Sequence, residues 1–132
     1  MMNTIDLVRA EEPKRDRDLL TKVNSELTHE VGVFVNHRDV KVAIEELQEA
    51  GFSLDEITLI ARRWRYDWLG DLVICDRFNE ESFGSNETAQ NFFNKMFQKG
   101  KYLLLLKGKA NEMSCAGAIM GRRRGHADVW QF

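Results

Sequence analysis

Apolar residues run without a break from Val31 to Val35, recur singly at Val40, Ala43, Ile44, Leu47 and Ala50, and run together again from Ile57 to Ala61. The outer runs, rich in β-branched and aromatic residues, have the make-up of buried strands. The middle series steps by three and four residues, one stripe of an amphipathic helix. Local chemistry agrees with that division. Asn36 stands where a helix N-cap is wanted, with Asp39 in the favourable first turn. Gly51 stands where a helix leaves in the left-handed conformation, and Phe52 follows as its apolar lock. Ser53 to Glu56 reads as a tight turn. Residues 31–62 therefore predict strand, helix and strand, a βαβ unit.

The same order returns at the other end of the chain. Lys101 to Lys107, KYLLLLK, is an apolar strand between Gly100 and Gly108. Asn111 is placed to cap a helix that turns Met113, Ala116, Ile119 and Met120 inward, Gly125 ends it, and Ala127 to Phe132 is a last strand. Between the two units lie a short apolar run, about 72–76, that predicts an extra strand, and a stretch to Asn86 that reads as loop. A helix over about 87–99 follows, with Ala89, Phe92, Phe93, Met96 and Phe97 on one face and Gly100 as its stop. Two βαβ units, about 31–62 and 101–132, with their helices on one face predict an α+β, ferredoxin-like sandwich. Each right-handed crossover leaves room for a strand of the other unit, so the strands interleave into an antiparallel sheet. The other arrangement is a small open sheet in which 72–76 pairs beside 57–61.

Residues 1–29 break the pattern. Charges crowd around the only proline, Pro13, and the segment predicts a mobile arm, or one packed on a partner through Leu19, Leu20, Val23 and Leu27. Residues 30–132 form the single domain that a chain of 132 residues supports. A net charge of −2 gives no global attraction to nucleic acid or acidic lipid. No apolar run is of membrane-spanning length and no leader segment is evident, so a cytoplasmic protein without membrane contact is expected. Cys75 and Cys115, forty residues apart, match neither a disulfide framework nor a zinc pattern.

Several of these residues resemble a known family. Val33-Phe34, Ala43, Leu47, Gly51, Phe52, Asp55, Ile57 and Ala61-Arg62, with Gly100, Tyr102, Leu103 and Ala118, are similar to the pattern of the general stress protein 17M-like (heat-induced stress protein) domain. The resemblance covers roughly Val31 to Arg62 and Asn91 to Phe132. Many members carry a Gly/Ala-rich apolar insert between the halves. This chain has RRWRYDWLGDLVICDRFNEESFGS there, with only two glycines, so it resembles a cyanobacterial-type variant lacking that insert. The resemblance implies a stress-related module and transfers no catalytic residues.

Candidate chemistry is sparse. Arg62, Arg63, Trp64 and Arg65, with Tyr66 and Trp68, combine guanidinium forks with aromatic faces, a composition suited to phosphate or single-stranded nucleic acid. The bland reading has the aromatics covering a sheet edge and the arginines meeting local acids. Arg122, Arg123 and Arg124 are a second anion-binding candidate, or simply cations at a helix C-terminus. His29, His37 and His126 are isolated and lack metal spacing. No phosphate loop, nucleophile elbow or cofactor motif is present in the sequence, so no enzyme, cofactor or metal is expected. The leading expectation is a non-enzymatic module acting through protein–protein contacts and self-associating as a homodimer, with Leu104, Leu106, Trp130 and Phe132 at the interface. Binding of nucleic acid or another phosphate ligand through Arg62–Trp68 ranks second.

Overall fold

The computed structural model describes residues 8–9, 27–64, 70–122 and 127–132. Among these residues six strands form one sheet: β1 (Val8–Arg9), β2 (Leu27–Phe34), β3 (Ile57–Ile60), β4 (Val73–Cys75), β5 (Tyr102–Lys109) and β6 (Ala127–Gln131). Their spatial order is β1-β6-β2-β5-β3-β4. Among the described residues three α-helices accompany them: α1 (His37–Glu49), α2 (Glu87–Gln98) and α3 (Ala110–Met120). The molecule is thus α+β. The central pairs β6–β2, β2–β5 and β5–β3 are antiparallel, so β5 lies between the parallel strands β2 and β3, and β2 lies between β5 and β6.

The extra strand was expected as an insertion in one arrangement and as a neighbour of β3 in the other. Both features occur together: β4 pairs with β3 in parallel, Ile60 opposite Cys75, while the interleaved antiparallel core is kept. Of the segment expected as a mobile arm, the described parts are strand. Val8–Arg9 pairs with Gln131 and Trp130, and β2 begins at Leu27, four residues before the apolar run. His29 and Glu30 disguised this start by adding polar residues to a buried strand.

The strand pleat sends alternate side chains to opposite faces, and here both faces are covered. On one face α1 and α3 pack Val40, Ile44, Leu47, Met113, Ala116 and Met120 over Phe34, Ile57, Leu59, Leu104 and Leu106. On the other, α2 and the 3₁₀ turn Glu80–Phe83 pack Phe83, Phe93 and Phe97 over Val31, Val33, Ile60, Leu103 and Leu105. The four leucines of β5 alternate between the two cores. Glycine at 32 has a packing reason: a Cβ there would stand 2.8 Å from Met120 Sδ and 2.9 Å from the Phe34 ring.

The helix ends follow local chemistry. Asn36 and Asn86 accept hydrogen bonds from Arg38 N and Ala89 N, each 2.9 Å. Gly51 (φ +106°) lets Phe52 N donate to Leu47 O at 3.0 Å, and Gly100 (φ +86°) lets Lys101 N donate to Met96 O at 3.1 Å. These are paired Schellman ends. The expected cap at Asn111 is corrected. Helix α3 starts at Ala110, directly out of β5, and Asn111 lies inside its first turn. No helix among the described residues is long and apolar enough to cross a membrane.

Candidate functional site

The sequence candidates divide across the sheet. Arg62 leaves the end of β3 on the α2 side, and its Nη1 donates to the Gln98 carbonyl at 3.0 Å. That carbonyl belongs to the last turn of α2, where no intrahelical donor remains, so the guanidinium completes the helix end. Trp64 turns to the other side. Its ring meets Tyr102 edge-on at 5.5 Å and His37 at 6.4 Å, and it packs against the α1–α3 core. Arg122 also lies on that side, 3.9 Å from Glu46 of α1. The described members of the two arginine clusters are therefore parted: Arg62 reaches the α2 layer and Arg122 the α1 layer. Arg65, Arg123 and Arg124 lie outside the described residues.

Arg62 instead gains a neighbour the sequence did not mark. The β3–β4 register places Ile60 beside Cys75, so two residues further on Arg62 runs alongside Arg77. Arg62, Arg63 and Arg77 line an open groove of about 470 Å³ between the β3–β4 edge and α2, with Phe97 in its wall and Asp76 and Glu80 at its side. Arg63 and Arg77 are exposed and make no ion pair among the described residues. Two exposed guanidiniums in a concavity, with no ion pair to a described residue, suit a carboxylate or phosphate. Arg77 had no signal because its proximity to Arg62 depends on a parallel strand pairing fifteen residues apart in the chain.

The expected interface residues are corrected by the same layering. Leu104 and Leu106 are 0% and 1% exposed beneath α1 and α3, and β5 is a central strand with no edge to offer. Trp130 and Phe132 are partly buried and turn toward α2. Trp130 meets Phe92 at 5.2 Å, and Phe132 stacks with His29 at 4.8 Å and with Phe93 at 5.7 Å. These side chains are used within the chain itself. Apolar exposure lies elsewhere: Val73 and Ile74 of β4 are 47% and 38% exposed.

A half-buried and a fully buried titratable residue, His29 and Glu30, stand beside each other on β2. Glu30 is fully buried; Gln131 Nε2 donates to its Oε1 at 3.0 Å and to Ser114 Oγ at 3.2 Å, while its Oε2 has no partner. Burial pushes the Glu30 carboxyl up to about 8, with the Gln131 hydrogen bond pulling the other way. Burial also lowers the His29 pKa, and Lys107 adds to that. Being adjacent on a strand, the two side chains face opposite cores, so they form no acid–base pair with each other. Neither lines the groove. Among the described residues no three potential metal ligands cluster. Cys115 is exposed on α3 in a separate shallow hollow of about 350 Å³ with Glu56 and Glu112. Comparison of the chain with protein-family models, with curated proteins and with solved structures gives no match in any of the three.

Proposed function

We propose that this chain is a cytoplasmic, non-enzymatic binding module of the general stress protein type. Its core is ferredoxin-like, and it acts through protein–protein contacts made on the β3–β4 side of the molecule. The order β6-β2-β5-β3, antiparallel throughout with both crossover helices on one face, supports the ferredoxin-like reading. The observation that carries the contact reading is the exposed pair Arg63 and Arg77, without carboxylate partners among the described residues, in a groove beside a sheet edge with exposed apolar residues. An acidic, extended protein segment matches both features: carboxylates for the forks and a backbone for the edge. Nucleic acid ranks below it because Trp64, the aromatic that would stack a base, is engaged edge-on with Tyr102.

Titration with an oligoglutamate peptide and with single-stranded RNA and DNA, each across a salt series, tests this. The expected outcome is peptide binding that weakens with salt and falls at least about tenfold when Arg63 and Arg77 become alanine. Binding of nucleic acid in the micromolar range with no binding of the peptide would transfer the groove to the second reading.

A further inference from the structure

The cations of the groove do not stop at its rim. Asn94, Phe97 and Gln98 form its helical wall, so the groove runs up against the last turn of α2. Two donors close that helix end: Arg62 Nη1 reaches the Gln98 carbonyl at 3.0 Å, and Lys101 N reaches the Met96 carbonyl at 3.1 Å. Both bonds bring their residues to the same turn, which already carries Lys95 and is capped by Lys99. Lys95 and Lys99 are exposed, and Lys101 is half-buried. From Thr88 to Lys101 the chain holds no acid. Among the described residues none of these lysines makes a side-chain hydrogen bond or an ion pair. The helix dipole favours a cation at this end, but Arg62 already bonds the free carbonyl there. In a chain of net charge −2, the lysines and arginines together make a segregated positive surface.

We propose that the acidic protein segment taken by the arginine groove continues past it, over the C-terminal end of α2, with further carboxylates against Lys95, Lys99 and Lys101. This deepens the reading of the groove and rests on it. It names the partner more closely: an unbroken acidic run, not one or two carboxylates in an otherwise neutral strand. Charge complementarity selects that occupant. Against Arg62, Arg63 and Arg77 the groove itself sets Asp76 and Glu80, so a short anion meets nearly balanced charge there. The surplus lies beyond, on the lysines, and only a ligand long enough to reach them gains it. A helix with its side chains is about 10 Å across, and an extended chain advances about 3.3 Å per residue. Crossing the helix end therefore takes about three residues more than filling the groove. The rings at this end are spent within the chain, which favours carboxylates over nucleobases. Phe78 stacks on Phe83 at 4.9 Å, Phe97 is 5% exposed, and Trp64 meets Tyr102 edge-on.

Calorimetric titration of the full chain with end-blocked glutamate peptides of three and of eight residues, at about 0.15 M salt, tests this. The eight-residue peptide is expected to bind at least about tenfold tighter than the three-residue one. Lys95→Gln combined with Lys99→Gln, both at exposed positions, is expected to remove most of that advantage. The same variant should change the affinity for the three-residue peptide by less than about twofold, which a general disturbance of the groove would not do. An unchanged far-ultraviolet dichroism spectrum verifies its fold. Arg63→Ala with Arg77→Ala is expected to weaken both peptides. Tight binding of the longer peptide that is indifferent to the two lysines overturns the extension and leaves the groove reading standing. Binding of neither peptide to the wild type overturns both. If single-stranded DNA binds in a lysine-dependent way where the peptides do not, the surface belongs to nucleic acid and the acidic partner is removed.

Discussion

Glu30 is the residue whose chemistry departs furthest from its sequence neighbourhood. Its folded carboxyl titrates at about 8, against an ordinary value of 4.5, because burial disfavours the anion more than the single Gln131 hydrogen bond favours it. The unfolded chain thus gives up this proton at lower pH than the folded one. The carboxyl's contribution to stability is fully present below pH 4.5 and is lost as pH rises to about 8. By linkage the loss is on the order of 3 kcal/mol at neutral pH, since each tenfold difference in proton affinity is worth about 1.4 kcal/mol. Glu30→Gln keeps the shape and removes the titration. Urea melts at pH 5.5 and 8.5, values chosen to bracket most of this range, are expected to show a falling stability in the wild type. The same melts should show a much flatter profile in the variant. A wild-type profile as flat as the variant's would mean that Glu30 is solvated or ion-paired.

At the scale of single elements, the helix ends are where sequence reading and structure agree best. Gly51 has open space around the position of a Cβ, so Gly51→Ala meets no steric clash and reports backbone strain alone. With φ at +106° the expected cost is about 1 kcal/mol, read from a shift of the urea midpoint at constant slope. A change within error would place the strain elsewhere. The elements that sequence reading misjudged are those whose ends depend on distant partners. Strand β2 extends back over His29 and Glu30 because eight of its residues find partners on β5, the first being Leu27 opposite Lys109. Phe83, in a stretch that reads as loop, is fully buried, stacked 5.3 Å from Phe93. A polar segment whose only aromatics are Phe78 and Phe83 does not announce a core residue. Only the arrival of α2 over the sheet gives that ring something to cover.

For the molecule as a whole, the covered sheet decides where contacts can form. A run of four leucines between glycines looks like surplus apolar surface. It is instead the central strand of a sheet with helices on both faces, two leucines to each core. Leu104→Ala is therefore expected to cost about 2–5 kcal/mol in the stability of the single chain, as a buried large-to-small change. At temperatures where the variant remains folded, its self-association should match the wild type. Loss of association without loss of stability would return Leu104 to an interface. Among the described residues, the surface proposed for partners is the β3–β4 side, where the arginine groove adjoins the exposed Val73 and Ile74.

The order of residues alone determined the two βαβ units, the caps at Asn36, Gly51 and Gly100, and the stripes that become core. These depend on neighbours within about four positions, through helical period, pleat and turn chemistry. It also marked Arg62 and Arg63, since guanidiniums beside a strand end are visible locally. Tertiary structure alone decided what those charges do. It set Arg77 beside Arg62, parted Arg122 from them onto the opposite layer, turned Trp64 onto Tyr102, and closed Glu30 away from water. Each of these follows from strand register and layer order. Both are set by cooperative burial across the whole sheet, and no short window of sequence carries them.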